Sequence, residues 1–233
     1  MTYEELGDLL RSQMARGGED RRKWIHAEGR NCDALFSALK DIQSGSVRIS
    51  IDFEKPGRPG LRRLLQIADI AFISRNYAEF LAAKHLKANG NALKCESEKM
   101  MRGMLKEIGN ELKDSAIGYT LVGSEGCYVF CKRELYTEVW EKVGGGFWQG
   151  EWLFFQLPAR DLTGSVVETT GAGDTFIAGV IAGWAGWKHT LGVVDSGKLG
   201  NILAERKCCQ KGFHDLWGGP PPELTTEIAI CGG

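Results

Sequence analysis

Asp174 stands at the end of a short run, Gly171-Ala172-Gly173-Asp174, that places a carboxylate beside consecutive backbone amides. Val166 and Val167 before it predict the end of a strand. Phe176, Ile177, Val180, Ile181 and Trp184 after it share one helical face, so the turn is expected at a helix N-terminus. Amides there lack carbonyl partners inside the helix, and the helix dipole adds partial positive charge, which together make an anion site. A carboxylate beside a bound anion is repelled unless it has a chemical task. Taking a proton from a hydroxyl that attacks a phosphoryl group is such a task. The residues point to phosphoryl transfer, against the plainer reading of a glycine turn capped by Asp174.

Asn76 and Glu79 stand three apart where a strand gives way to a helix, so they share a face and can address a hydrated metal or a phosphate. Glu28, Arg30 and Asn31 close the first strand and either line a site or form a salt-bridged turn. The seven cysteines lack C-x-x-C spacing, and His26, His85, His189 and His214 are scattered. Reduced structural thiols fit better than zinc. There is no G-x-x-x-x-G-K-[ST] loop and no G-x-S-x-G elbow, and Phe176 stands where a dinucleotide fingerprint would place its third glycine.

The elements that must position these residues alternate. Strands are expected over residues 23–29, 46–53 and 68–73, with a helix carrying Leu35, Phe36, Leu39 and Ile42 between the first two. A helical stripe begins at Phe80 and Leu81. A further helix over 97–112 turns Met100, Met101, Met104, Leu105 and Ile108 inward. Residues 117–122 and 127–131 read as paired strands around the turn Gly123-Ser124-Glu125-Gly126, and Leu199, Ile202 and Leu203 mark a last helix. Strand–helix alternation implies a parallel sheet with function at the C-terminal strand ends. Ahead of this, Thr2-Tyr3-Glu4-Glu5 fits a capping box opening a helix with Leu6, Leu9, Leu10 and Met14. The stretch 138–157 is rich in aromatics, which if exposed would favour partner binding, and the proline-rich 218–233 reads as a tail.

With 233 residues, 43% of them hydrophobic, the chain can bury one substantial α/β core, and a net charge of -1 offers no general attraction to nucleic acid or anionic membrane. No apolar stretch is long enough to span a bilayer and the first residues lack a secretory pattern, so a cytoplasmic location is expected.

The run from Glu168 to Asp174 resembles the D-T-x-G-A-G-D signature of the ribokinase or PfkB carbohydrate kinases. Residues 24–31 and 52–56 resemble the ketohexokinase branch, and Asn76 with Glu79 matches the family's N-x-x-E motif. The resemblance implies an α/β fold, a ribokinase-like three-layer α/β/α sandwich with a mostly parallel sheet, here without the family's N-terminal strands and β lid. The expected organisation is an N-terminal helix and loop over 1–22, a partial kinase domain over 23–217 with an aromatic insert over about 138–157, and the tail over 218–233.

By the same resemblance Asp174 is the catalytic base, and Gly171, Ala172 and Gly173 form the anion hole. Asn76 and Glu79 position magnesium through water, while Gly123, Glu125, Gly126, Asn201 and Gly212 contact the nucleotide. Glu168, which replaces the family's Asp, and Thr170 belong to a monovalent-cation loop. The implied cofactors are ATP and Mg2+, with K+ as a further candidate. The implied function is ATP-dependent phosphorylation of a sugar hydroxyl, with homodimers expected of a full-length form. Two alternatives stay open: a nucleotide-binding pseudokinase or interaction protein, because the sugar-binding N-terminal part is missing from the match, and a nucleoside kinase.

Overall fold

The computed structural model describes residues 8, 12, 23–40, 42, 47–86, 97–132, 146–185 and 191–216. The expected N-terminal helix, apart from Asp8 and Ser12, lies outside them, as do residues 138–145 and the tail from 218. The chain divides into two compact units, one holding residues up to Val122 together with 128–155, the other residues 123–127 together with everything from Gln156. The single domain expected over 23–217 thus comprises parts of two units.

The first unit is built on a seven-stranded sheet. Its strands are β1 (Lys23–Glu28), β2 (Val47–Phe53), β3 (Ile70–Ser74), β4 (Ile117–Leu121), β5 (Cys127–Lys132), β6 (Phe147–Gln149) and β7 (Trp152–Leu157). They lie in the order β1-β2-β3-β4-β5-β7-β6. The first four run parallel, with Ile25 opposite Ile49, Ile51 opposite Ala71 and Ile70 opposite Ile117. Parallel strands with both faces covered read as near-continuous apolar runs. β2 fits that rule, since Ile49, Ile51 and Phe53 on one face and Ser50 on the other are all inaccessible to solvent.

Helices α1 (Cys32–Lys40), α2 (Arg75–Leu86) and α3 (Ser97–Ile108) complete the unit. Met100, Met101 and Met104 enter the core as expected, and Gly103 lets α3 approach α2, because a Cβ there would lie 3.0 Å from that of Ala82. The third strand starts two residues later than expected. Ala68 N is held by the Leu64 carbonyl at the end of a 3-10 turn (Leu61–Gln66), and Asp69 caps the strand by accepting Ile49 N at 2.8 Å. β3 then passes directly into α2, where Ser74 Oγ accepts Tyr77 N at 3.2 Å and donates to Glu54 O at 2.6 Å. The expected stripe on α2 also shifts. Tyr77, Ala78, Leu81 and Ala82 are buried, whereas Phe80 is 47% exposed and stacks on Tyr77.

Of the aromatic stretch, the described residues from 147 onward form the outer hairpin of the sheet, with Phe147 opposite Phe154 and Gln149 opposite Trp152 in antiparallel register. Trp152, Leu153, Phe154 and Phe155 are all buried, and a strand covered on both faces shows no alternation that would betray it in the sequence.

The second unit pairs helices α4 (Ala172–Ala185) and α5 (Val193–Cys208). Glycines set their approach: a Cβ on Gly179 would lie 2.9 Å from Gly200 Cα, and one on Gly183 would lie 2.7 Å from Ser196 Oγ. Rising residue numbers on α4 thus meet falling ones on α5, so the helices are antiparallel. The start of α4 is thereby brought to the end of α5. Among the described residues no helix is long and apolar enough to cross a membrane.

Candidate functional site

The candidate site lies at that meeting of helix ends, and the chain from Gln156 to Glu168 leads to it by running along α5. Asn201 donates from Nδ2 to Leu157 O at 3.0 Å and lies 3.4 Å from Pro158 O. Glu205 Oε1 accepts Arg160 N at 2.8 Å. The Cys208 carbonyl accepts both Val167 N at 2.7 Å and Glu168 N at 3.1 Å. Those last bonds replace the strand expected at Val166 and Val167, which is absent. Both valines are more than half exposed, and their backbone polarity is met by a helix end instead of a sheet.

From Glu168 the chain enters the glycine turn. Gly171 takes φ of +81°, a left-handed conformation that glycine adopts without steric cost. Thr175, buried, clamps the Gly171 carbonyl twice, through its N at 2.9 Å and its Oγ1 at 2.8 Å. Helix α4 opens at Ala172, as the sequence predicts. Ala172 N is spent on Thr169 O, outside the helix, at 3.1 Å. The amides of Gly173 and Asp174 have no described carbonyl acceptor, and both residues are exposed. Among the described residues no side chain pairs with the Asp174 carboxylate. An exposed carboxylate one residue beyond open amides at a helix N-terminus can receive a proton while the amides hold an anion.

Behind the turn sits a buried charge. Lys207, with no solvent-accessible surface, places Nζ 2.6 Å from Glu168 Oε2, and the same oxygen accepts Gly212 N at 3.2 Å. The hydrogen bond from Lys207 first, then that from Gly212, holds the Glu168 carboxyl below the usual carboxylate range. The Phe213 ring covers the pair from outside with its centroid 5.1 Å from Nζ. Thr170, at the head of the turn, is exposed. Lys207 was not singled out from the sequence. Lys207 sits in a charged run, yet it falls in register with the buried Ser196, Gly200 and Leu203 of α5, and following that helical stripe to its end would have turned it inward.

The turn 123–126 belongs to the same unit. Gly126, at φ +92°, lies so close to residues 157–159 that a Cβ would meet Leu157 O at 2.2 Å, and Gln156 Nε2 donates to Glu125 O at 2.9 Å. Gly123 faces open space, with nothing within 4 Å of where its Cβ would be. The structure thus links Gly123, Glu125 and Gly126 to Asn201 through residues 156–158. Asn201, expected on the nucleotide, is 7% exposed, and its side-chain amide donates to main-chain carbonyls. Gly200 packs on Phe176.

The remaining candidates belong to the first unit. Asn76, in the first turn of α2, is exposed, and Glu79 pairs with Arg75 Nε at 2.8 Å. Glu28, Arg30 and Asn31 form the salt-bridged turn that was the alternative reading. Arg30 Nε meets Glu28 Oε1 at 2.5 Å, Arg58 donates to Gly29 O at 2.7 Å, and Asn31 takes φ of +47°. Arg30, by hydrogen bond and charge, keeps the Glu28 carboxyl low. Cys127 and Cys131 are buried free thiols whose pKa burial pushes upward, in keeping with a structural role.

Two cofactors can be tested against these residues. Among the described residues no group of three or more His, Cys, Asp and Glu could hold a metal directly, so Asn76 and Glu79 fit magnesium only through water. A monovalent cation fits poorly at Glu168, because an ammonium group already occupies the carboxylate oxygen that faces the loop.

Residues 152–216 match the pfkB family carbohydrate kinase profile, a span that takes in the glycine turn and Lys207. Mouse (Mus musculus) ketohexokinase is 26% identical over 208 residues, covering 84% of this chain and 56% of that protein. The ribokinase of Cryptococcus neoformans var. grubii, solved in complex with ADP, superposes with a TM-score of 0.60 at 16% identity, over 91% of this chain and 61% of that one. Thermotoga maritima ribokinase gives 0.56 at 14% identity, over 89% and 57%. The fold is ribokinase-like, and the chain spans little more than half the length of the relatives it matches.

Proposed function

We propose, for a chain related to the pfkB family carbohydrate kinases, that it binds ATP and phosphorylates a sugar hydroxyl. The observation that carries this reading is the exposed Asp174 directly after the open amide of Gly173 at the start of α4. Asp174 accepts the proton of the attacking hydroxyl. The amides of Gly173 and Asp174, with the dipole of α4, hold the transferring phosphoryl group as charge spreads over its oxygens. Gly171 supplies the left-handed bend that aims those amides, and Thr175 keeps the bend closed.

Gly123, with open space beside it, and Glu125, Gly126 and Gly212 are the proposed nucleotide contacts, while Asn201 holds the main chain beneath them. The proposal assigns hydrated magnesium to Asn76 and Glu79 of the first unit. A ketohexose acceptor is the finer reading, supported by the mouse relative.

The test is a coupled assay for ADP release over a panel of ketoses, aldoses and nucleosides, with mass detection of the phosphorylated product. Turnover on a sugar supports the reading, and turnover confined to nucleosides moves it to a nucleoside kinase. Tight ADP binding with no product on any acceptor would overturn it in favour of nucleotide binding without turnover.

A further inference from the structure

We propose that Lys207 is a covalently tethered monovalent cation, built into α5 to hold the anion-binding turn in shape. It acts as a positioning residue, and its catalytic relevance rests on the phosphoryl-transfer reading above.

A buried ammonium is costly unless it is paired, so its place in the fold needs a reason. Lys207 lies wholly out of solvent at the last turn of α5 and has one carboxylate against it, Glu168 Oε2 at 2.6 Å. That oxygen also receives Gly212 N at 3.2 Å. Phe213 closes the outer side at 5.1 Å from Nζ, within the range where a ring face attracts a cation. One positive charge therefore joins the loop before α4, the end of α5 and the loop after it.

The link to the turn is direct. The position of a Cβ on Gly171 lies 2.5 Å from Phe213 Cζ and 3.7 Å from Lys207 Cε, so the ring and the lysine stem together form the floor under Gly171. Gly171 in turn sets the direction of the open amides. An oxygen-lined pocket at such a junction would suit a potassium or ammonium ion, which resemble a lysine head in charge and size. Here the head arrives on its own stem, and no free ion has to be captured from solution. Glu168 suits this arrangement because its side chain reaches into the end of α5.

The experiment compares the full chain with Lys207→Met in choline, sodium, potassium and ammonium chloride at one ionic strength. It records the thermal midpoint and the affinity for a fluorescent ADP analogue. The unsubstituted chain is expected to keep one midpoint and one affinity in all four salts. Lys207→Met is expected to bind the analogue about ten-fold more weakly in choline, the scale of one lost charged hydrogen bond. Potassium or ammonium should restore it, and choline and sodium should not. A merely structural lysine would show a loss that no cation repairs, and that result would overturn the proposal. So would unsubstituted protein whose midpoint or affinity rises selectively with potassium, a comparison that needs no variant to fold. The midpoints decide the matter whether or not the chain transfers phosphate, so the two readings fail separately.

Discussion

Phe213 lies over Gly171, and any Cβ placed on that glycine would come within 2.5 Å of the ring's Cζ. Two costs are therefore superposed at one position. Gly171→Ala must hold a left-handed backbone, worth about 1–2 kcal/mol, and must also displace the ring. Adding Phe213→Ala should recover only the second cost. Urea unfolding of the single and double variants separates the two, and full recovery would mean that the backbone conformation carries no cost.

Asp174→Asn keeps the size of the side chain and removes its basicity. Turnover should fall by about 10²–10⁴-fold, the range attributed to a positioned general base, while ADP affinity stays as it was. Single-turnover kinetics with a calorimetric binding curve would check it. Wild-type turnover by the variant would remove Asp174 from the mechanism.

Asn201→Leu tests the revised role of that residue. Losing the amide leaves the carbonyls of Leu157 and Pro158 without their tie, which should cost about 1–3 kcal/mol in chemical unfolding. ADP affinity of the folded variant should be unchanged. Loss of affinity at wild-type stability would instead return Asn201 to the nucleotide.

Glu107 gives the first unit a pH signature. It sits among Lys84 at 2.7 Å, Arg62 at 2.6 Å and His85 at 3.0 Å, and hydrogen bonds from Lys84 first, then Arg62 and His85, bring its pKa from 4.5 to about 2. A depressed carboxylate pKa stabilises the fold fully above 4.5 and progressively less as pH falls toward 2. The thermal midpoint of wild type should exceed that of Glu107→Gln at pH 6, and the gap should close between pH 4.5 and 2. A gap that widens on acidification would contradict the assigned pairing.

Much of this was readable in the chain. The parallel strands, the helix opening at Ala172 and the methionine-filled face of α3 follow from periodicity, because 3.6-residue and two-residue repeats are local properties. The chemistry of the glycine turn was equally local, since a left-handed glycine and a helix N-terminus need only neighbouring residues. Where side chains cover both faces of an element, the pattern vanished, and so Trp152 to Leu157 gave no strand signal. Val166 and Val167 read as strand because their propensity is high, but the partner that satisfies them is the carbonyl of Cys208, distant in sequence.

What the sequence determined was the identity and order of the candidate groups: an amide run and the carboxylates of Asp174 and Glu168. What only the tertiary structure decided was which distant partners hold them. The glycine contacts of α4 and α5 bring Lys207 behind the turn, commit Asn201 to main-chain carbonyls, and lay Phe213 over Gly171. Such pairings depend on where two helices meet, and that follows from the packing of many side chains at once and from no single stretch of chain.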